Sequence, residues 1–325
     1  MDFTAPDAGV VRTAVDLACR APSVHNSQPW RWLYNDGRLD LHGDRSRLLA
    51  STDPSGRQLM ISCGAALGHL RVALTSLRWH PSVELLPEVA LPNLVASVRF
   101  RRDAEPRSHD FDLVTAIRHR RTDRRPFAPP VQAPGLFDVL RDAAGRHGAT
   151  LTVLPPDAAP ELAAASNASA ASRRYDSTYQ AELHWWAGHS FPFEGIPANA
   201  LATELDSSRV SVGRAFPTPG RSDPEASRPV DESTVVMLST TTDLPTAWAR
   251  CGEALSAVLL EATALGNATC PLTHLTEVER SREMIRALAP DAGHPQVLVR
   301  VGTALDPVPL RETPRRPTAE VLTLG

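Results

Sequence analysis

Not one lysine occurs in the 325 residues; all 34 basic positions are arginine. That absence excludes pyridoxal-phosphate chemistry, which needs a lysine nucleophile, and a Walker-type phosphate loop, which needs its Gly-Lys-Ser/Thr lysine. HExxH, the GxSxG elbow and the GxGxxG fingerprint are missing as well. A phosphate site in this chain has to use arginine, whose planar fork holds phosphate oxygens bidentately. Cysteine is scarce: Cys19, Cys63, Cys251 and Cys270 sit in apolar patterns without CxxC spacing, which reads as reduced core thiols. No uninterrupted apolar run approaches the roughly 20 residues that span a bilayer, and MDFTAPDAG lacks the basic and apolar regions of a signal peptide. The expectation is a cytoplasmic protein with no membrane partner. A formal charge of −3 gives no reason to expect nucleic acid.

What is present is a chain that can bury a substantial core as one large domain or two smaller ones. Apolar spacing predicts a helix over about residues 8–20, stopped by Pro22. Residues 30–34 and 39–42 alternate around Asn35-Asp36-Gly37, a hairpin pattern. A long helix follows over about 54–78, then strands over 83–88 and 94–100, a short helix from Phe111 to His119, and a further helix around 160–186. The charged stretch RFRRDAEPRSHD places a boundary near 100–110.

Two segments repeat. SCGAALGHLRVALTSL, Ser62 to Leu77, and RCGEALSAVLLEATAL, Arg250 to Leu265, share Cys, Gly, Ala and Leu columns, with Thr75 over Thr263 and Leu77 over Leu265. Each is followed by a linker and strand patterns, PNLVASVRF from Pro92 and PQVLVRVG from Pro295. Helical periodicity alone produces some of these coincidences, but the matched order of flanking elements favours a duplicated α+β unit. Such a chain is a covalent pseudo-dimer with long helices about a pseudo-twofold axis, and its sites belong at the seam.

Two polar clusters flank that seam. APSVHNSQPWRW, Ala21 to Trp32, packs short polar groups between two prolines; AIRHRRTDRRPF, Ala116 to Phe127, surrounds Thr122 with arginines. Taken alone, the first is equally a cap and turn, and the second a solvated helix end. Together they resemble the PSxxNxQPW and RRSxRxF stretches of the nitroreductase-like flavoproteins, and most closely the single-chain, tandem-repeat Acg-type branch. PRRPTAEVL, Pro314 to Leu322, is similar to that family's basic C-terminal segment.

The resemblance implies an α+β nitroreductase-like fold of two fused unequal repeats, with antiparallel or mixed sheets and long central helices. Residues 1–105 would form a shortened first repeat and 106–325 a second with a lid-like insertion at about 187–232. It also implies one FMN between the repeats. Pro22, Ser23, Asn26 and Gln28 would reach the flavin from the first, and Arg120, Arg121, Thr122 and Arg124 would hold phosphate and ribityl from the second. Pro271, Leu272 and Thr273 would offer backbone beside the ring, and Arg315 and Arg316 would return to the phosphate, unless that tail stays mobile. One extra residue before Phe127 leaves Arg124 and Arg125 competing for one role.

The insertion carries Trp185, Trp186, Phe191 and Phe193 just before or within it, either as a lid over the flavin or as a satellite core. The implied activity is NAD(P)H-dependent reduction of a nitroaromatic, quinone or similar small aromatic acceptor, with FMN carrying the chemistry and no metal. The alternative is a flavin-sequestering protein with little turnover. The expected state is a monomeric pseudo-dimer, with further dimerisation left open.

Overall fold

In a computed structural model, residues 4–87, 91, 93–131, 135–188, 192–216, 229–306 and 310–325 are described. The first half runs α1 (Ala8–Ala18), β1 (Trp30–Asn35), β2 (Arg38–Gly43), α2 (Arg57–Ser76), β3 (His80–Leu85) and β4 (Leu94–Arg101). Then come α3 (Ser108–His119), β5 (Phe127–Ala128), α4 (Leu136–Gly145), β6 (Thr150–Val153), α5 (Ala159–Arg173), α6 (Ser177–Trp186) and α7 (Glu204–Ser208). The chain finishes with β7 (Thr234–Thr240), α8 (Pro245–Ala264), β8 (Ala268–Leu272), α9 (His274–Glu277), α10 (Glu279–Ala287), β9 (His294–Ala304), α11 (Thr318–Val321) and β10 (Leu322–Leu324).

The fold is α+β. One sheet has the order β10-β1-β2-β4-β3, and in the other β6, β7 and β9 follow one another, with β8 and β5 both paired to β9. Stripped of its additions, the first reads β1-β2-β4-β3 and the second β6-β7-β9-β8. The hairpin turn at Asp36 and Gly37, both at positive φ, joins β1 to β2. The corresponding β6–β7 connection carries the whole of residues 154–233 instead. β10 adds to β1 in parallel, so the C-terminal end of the chain closes the first sheet.

Helices α2 and α8 cross at the centre. A Cβ added to Gly64 would stand 2.0 Å from the Ala249 carbonyl oxygen, and one added to Gly252 would stand 2.1 Å from that of Ile61. The approach is reciprocal, because the same sequence offset relates Gly64 to Gly252 and Ile61 to Ala249. Of the described helices, α2 is the one long and apolar enough to suit a bilayer, yet 72% of that window is buried inside the molecule.

Burial explains the strand patterns. Val236 and Leu238 face α8, while Met237 between them packs with Leu162 and Leu275 on the opposite side. With both faces covered, β7 and β9 are nearly continuous apolar runs. The expected single helix around 160–186 is broken: α5 ends at Arg173, and Asp176 caps a new helix by accepting from Thr178 and Tyr179 N–H. Strand β3 begins and ends earlier than the expected 83–88, at His80 and Leu85.

Trp185, Trp186 and Phe193 join no core cluster. Trp185 and Phe193 are 57% and 44% exposed, and Trp186 lies under the Arg47 guanidinium. The small satellite cluster consists of Ala187, Ile196 and Leu201 with Phe216 against it. Phe191 lies outside the described residues. All four cysteines are free and buried.

Candidate functional site

Between Pro22 and Pro29 the backbone turns sharply. His25, Asn26 and Gln28 have φ of 50°, 55° and 49°. Left-handed backbone is uncommon for any non-glycine residue, and such strain persists only where the surroundings over-determine it. Here they do: Ser23 Oγ accepts from Gln28 N–H at 2.9 Å, and Ser62 Oγ on α2 accepts from Val24 N–H at 3.3 Å. The arginine segment is anchored equally firmly. Asp123 N–H donates to Thr269 O at 3.0 Å, and Thr122 bridges Thr269 beside β8.

These two segments line one cavity of about 570 Å³. Pro22, Ser23 and His25 face it from the first half, with Gln58, Ile61 and Ser62 of α2; Thr122, Arg124, Leu255 and residues 270–274 face it from the second. Part of the insertion, from Ile196 to Phe216, supplies another wall, with Ser166, Asn167 and Arg300 also lining the space. A smaller recess of about 60 Å³ adjoins it, lined by Arg20, Asn26, Arg120, Arg121, Glu312 and Arg315 among others. Pro22, Ser23, Thr122, Arg124 and Ile196 line both.

The recess has an excess of positive charge. Arg20, Arg120, Arg121 and Arg315 meet there, and the carboxylate against them is Glu312, 2.7 Å from both Arg20 and Arg121. Among the described residues, Arg120 Nε and Nη1, Arg121 Nε and Arg315 Nε are buried without a hydrogen-bond partner. Burial, with Arg315, Arg121 and Arg20 close by, pulls Arg120 down to about 9. Burial and neighbouring arginines likewise take Arg315 to about 10. A guanidinium under such pressure stays charged only at a cost, which an anion with several acceptor oxygens would remove.

Arg124 and Arg125 separate cleanly. Arg124 lines both cavities, donates to Ala200 O at 2.8 Å and covers the Phe216 ring. Arg125 points away, paired with Asp123 and Asp306. Pro271, Leu272 and Thr273 line the larger cavity. Asn26 reaches only the recess, and neither Gln28 nor Arg316 lines either space.

The cavity also contains residues that sequence reasoning missed. Arg214, from the insertion, donates to Tyr179 Oη at 2.6 Å and pairs with Glu277, whose carboxylate accepts from Thr273 Oγ1 at 2.7 Å. His274 Nε2 lies 2.9 Å from Ser166 Oγ, and its Nδ1 meets no partner among the described residues. Burial first, then Arg214, lowers His274 to about 3. His25 is pushed well below its ordinary value by burial, Arg214 and Arg124. Both imidazoles are neutral, so neither stores a proton near neutrality. Nothing in the sequence marked Arg214 or the His274 side chain, because long-range folding delivers them from separate segments; His25 lies inside the proline-bounded cluster already singled out. Among the described residues no cluster of His, Cys, Asp and Glu could hold a metal ion.

No protein-family model matches the chain. A Mycobacterium tuberculosis protein named "Putative NAD(P)H nitroreductase acg" is 43% identical over 323 residues, spanning 99% of this chain and 97% of its own length. A second protein from that organism, also named a putative NAD(P)H nitroreductase, is 38% identical over 320 residues, 98% of this chain and 92% of its own. Two solved structures are similar at 17% identity and a TM-score of 0.40. One is a nitroreductase with bound FMN from Desulfitobacterium hafniense, with 65% of this chain and 97% of that one covered. The other is the FMN-dependent nitroreductase NfnB from Mycobacterium smegmatis in complex with NADPH, at 66% and 97%.

Proposed function

The chain belongs to the NAD(P)H nitroreductase family, and from that premise we propose that it is an FMN-dependent oxidoreductase reducing a nitroaromatic, quinone or similar small acceptor. The observation that carries this reading is the arginine recess, short of negative charge, opening into a cavity large enough for a flat ring system. Arg120 and Arg315, with unpartnered buried N–H groups, would hold the FMN phosphate, assisted by Arg121. Ser23, Thr122 and Arg124 line the passage between recess and cavity, where a ribityl chain would run. Pro22 and residues 271–273 line the larger cavity, where they would border the ring.

Bound FMN would supply the two-electron chemistry between nicotinamide and acceptor. The residues lining the cavity would orient the ring and limit water, with Arg124 and Arg214 as the cationic groups available to it. His25 and His274, held neutral, do not act as imidazolium donors, so protons come from solvent.

We read residues 1–105 and 106–325 as unequal repeats sharing a single flavin at their seam. The matching strand orders and the reciprocal glycine contacts support this. So does the asymmetry of the loops: residues 19–29 separate α1 from β1, whereas only 146–149 separate α4 from β6, leaving no room for a second Pro-Ser-Asn turn. We place the protein in the cytoplasm, where its four free thiols stay reduced. Anaerobic mixing of flavin-loaded protein with NADH or NADPH tests the activity. Rapid bleaching at the flavin maximum supports it, and indifference to both nucleotides rejects it in favour of flavin storage.

A further inference from the structure

Three consecutive residues of the insertion are held by one turn. Phe193 O accepts from Gln28 Nε2 at 2.7 Å, and Gly195 O accepts from Asn26 Nδ2 at 2.9 Å. Glu194 between them pairs with Arg47, whose Nε donates to Ser27 O. The same two amides hold the C-terminal tail. Asn26 Oδ1 accepts from Arg315 Nη1 at 2.9 Å, Asn26 Nδ2 also donates to Pro314 O at 2.9 Å, and Gln28 Oε1 accepts from Arg316 N–H at 2.8 Å. Gln28 Nε2 completes its set on Asn26 O at 3.3 Å. Every N–H of both amides is engaged, and each amide oxygen has a donor, so little is left to offer a ring.

We infer that Asn26 and Gln28 are positioning residues, a clamp that fixes the insertion to the tail and ties its closure to the anion recess through Arg315. This inference rests on the flavin reading for its ligand, but not for its geometry. The clamped stretch leads directly into Ile196, which lines both cavities. Arg315 commits Nη1 to Asn26 while its Nε remains unpartnered. An anion can therefore take Nε without withdrawing Nη1, and in doing so relieves the repulsion that Arg20 and Arg121 exert on Arg315. Filling the recess steadies Arg315, which steadies Asn26, which holds Gly195. Coupling of this kind is reciprocal at Asn26: withdrawing it from Arg315 loosens the grip on the anion.

Gated access has a kinetic signature. Weakening the clamp at Gln28, whose amide does not touch Arg315, speeds entry and exit of the flavin alike and leaves affinity nearly unchanged, whereas losing a direct contact speeds exit alone. Asn26→Asp keeps the acceptor for Arg315 and removes both donated hydrogen bonds; Gln28→Asn withdraws the other amide by one methylene. After both variants are checked for cooperative melting, hydrogen exchange is followed at the Ile196 amide, which bonds Trp186 O at 2.8 Å. Inorganic phosphate should slow that amide in the parent and fail to do so in Asn26→Asp. In Gln28→Asn it should exchange about fivefold faster, the worth of one net hydrogen bond, with FMN association and dissociation rising by the same factor. Equal phosphate protection in parent and Asn26→Asp, or faster release without faster entry, overturns the clamp. Should the parent take up no flavin, the flavin reading falls while the phosphate exchange result still decides the clamp.

Discussion

Gly64 of α2 touches Gly252 of α8 with no side chain between them: a Cβ on Gly64 would lie 3.0 Å from the Gly252 Cα, and one on Gly252 would lie 2.8 Å from the Gly64 Cα. Each half of the molecule therefore uses the same column of its repeated helix to meet the other. Gly64→Ala or Gly252→Ala forces backbone against backbone, which a rotamer change cannot relieve. Either should destabilise the protein by about 3 kcal/mol or more in urea unfolding, at the upper end for overpacking. Gly145→Ala, whose added methyl would meet nothing within 4 Å, is the matched control and should be close to neutral.

Glu312 is a built-in rival for the recess. Its side chain is 59% exposed, yet one carboxylate oxygen holds both Arg20 and Arg121. Glu312→Gln returns those cations to an incoming phosphate and should tighten FMN binding roughly threefold to tenfold at low salt, with the gain shrinking as salt rises. Titration of flavin fluorescence measures it; weaker binding would mean that Glu312 organises the arginines instead.

Arg120→Ala should act in the opposite sense. Removing a guanidinium with two unpartnered buried nitrogens costs the anion a charged hydrogen bond, about 2 kcal/mol or roughly thirtyfold in the dissociation constant. The variant lacking its ligand should melt no lower than the parent lacking it, since burial and the neighbouring arginines disfavour that charge. Paired melting curves with and without FMN separate the two effects.

Acid sensitivity follows from His274. Its folded value near 3 lies below the ordinary 6.5, so between those values the unfolded chain binds more protons than the native one. The contribution to stability is complete above about pH 6.5 and drains away as pH falls toward 3, amounting to a few kcal/mol on the order of the shift. His274→Gln should flatten that limb of the stability profile. An unchanged limb would place the acid sensitivity elsewhere.

The halves of the fold were legible where local chemistry decides. Asn35-Asp36-Gly37 announces its hairpin, and Gly64 and Gly252 fall in the same column when the two repeated segments are aligned. The break at Asp176 was lost because the alanine-rich sequence before it carries no proline or glycine stop, so helical propensity runs on. At the site, Ser23, Thr122 and Arg120 could be named because prolines and arginine runs are visible in a sequence. The clamp made by Asn26 and Gln28 could not, since its partners lie more than a hundred residues away and are mostly backbone carbonyls. Arg125 illustrates the limit from the other side: one position from Arg124 and identical in chemistry, it is held away from the cavity by Asp123 and Asp306.

The most direct measurement is the flavin content of the protein after saturation with FMN and removal of the excess. One FMN per chain, falling sharply in Arg120→Ala, is the predicted result. A chain that retains none, or one that retains two, contradicts a single flavin held between unequal halves.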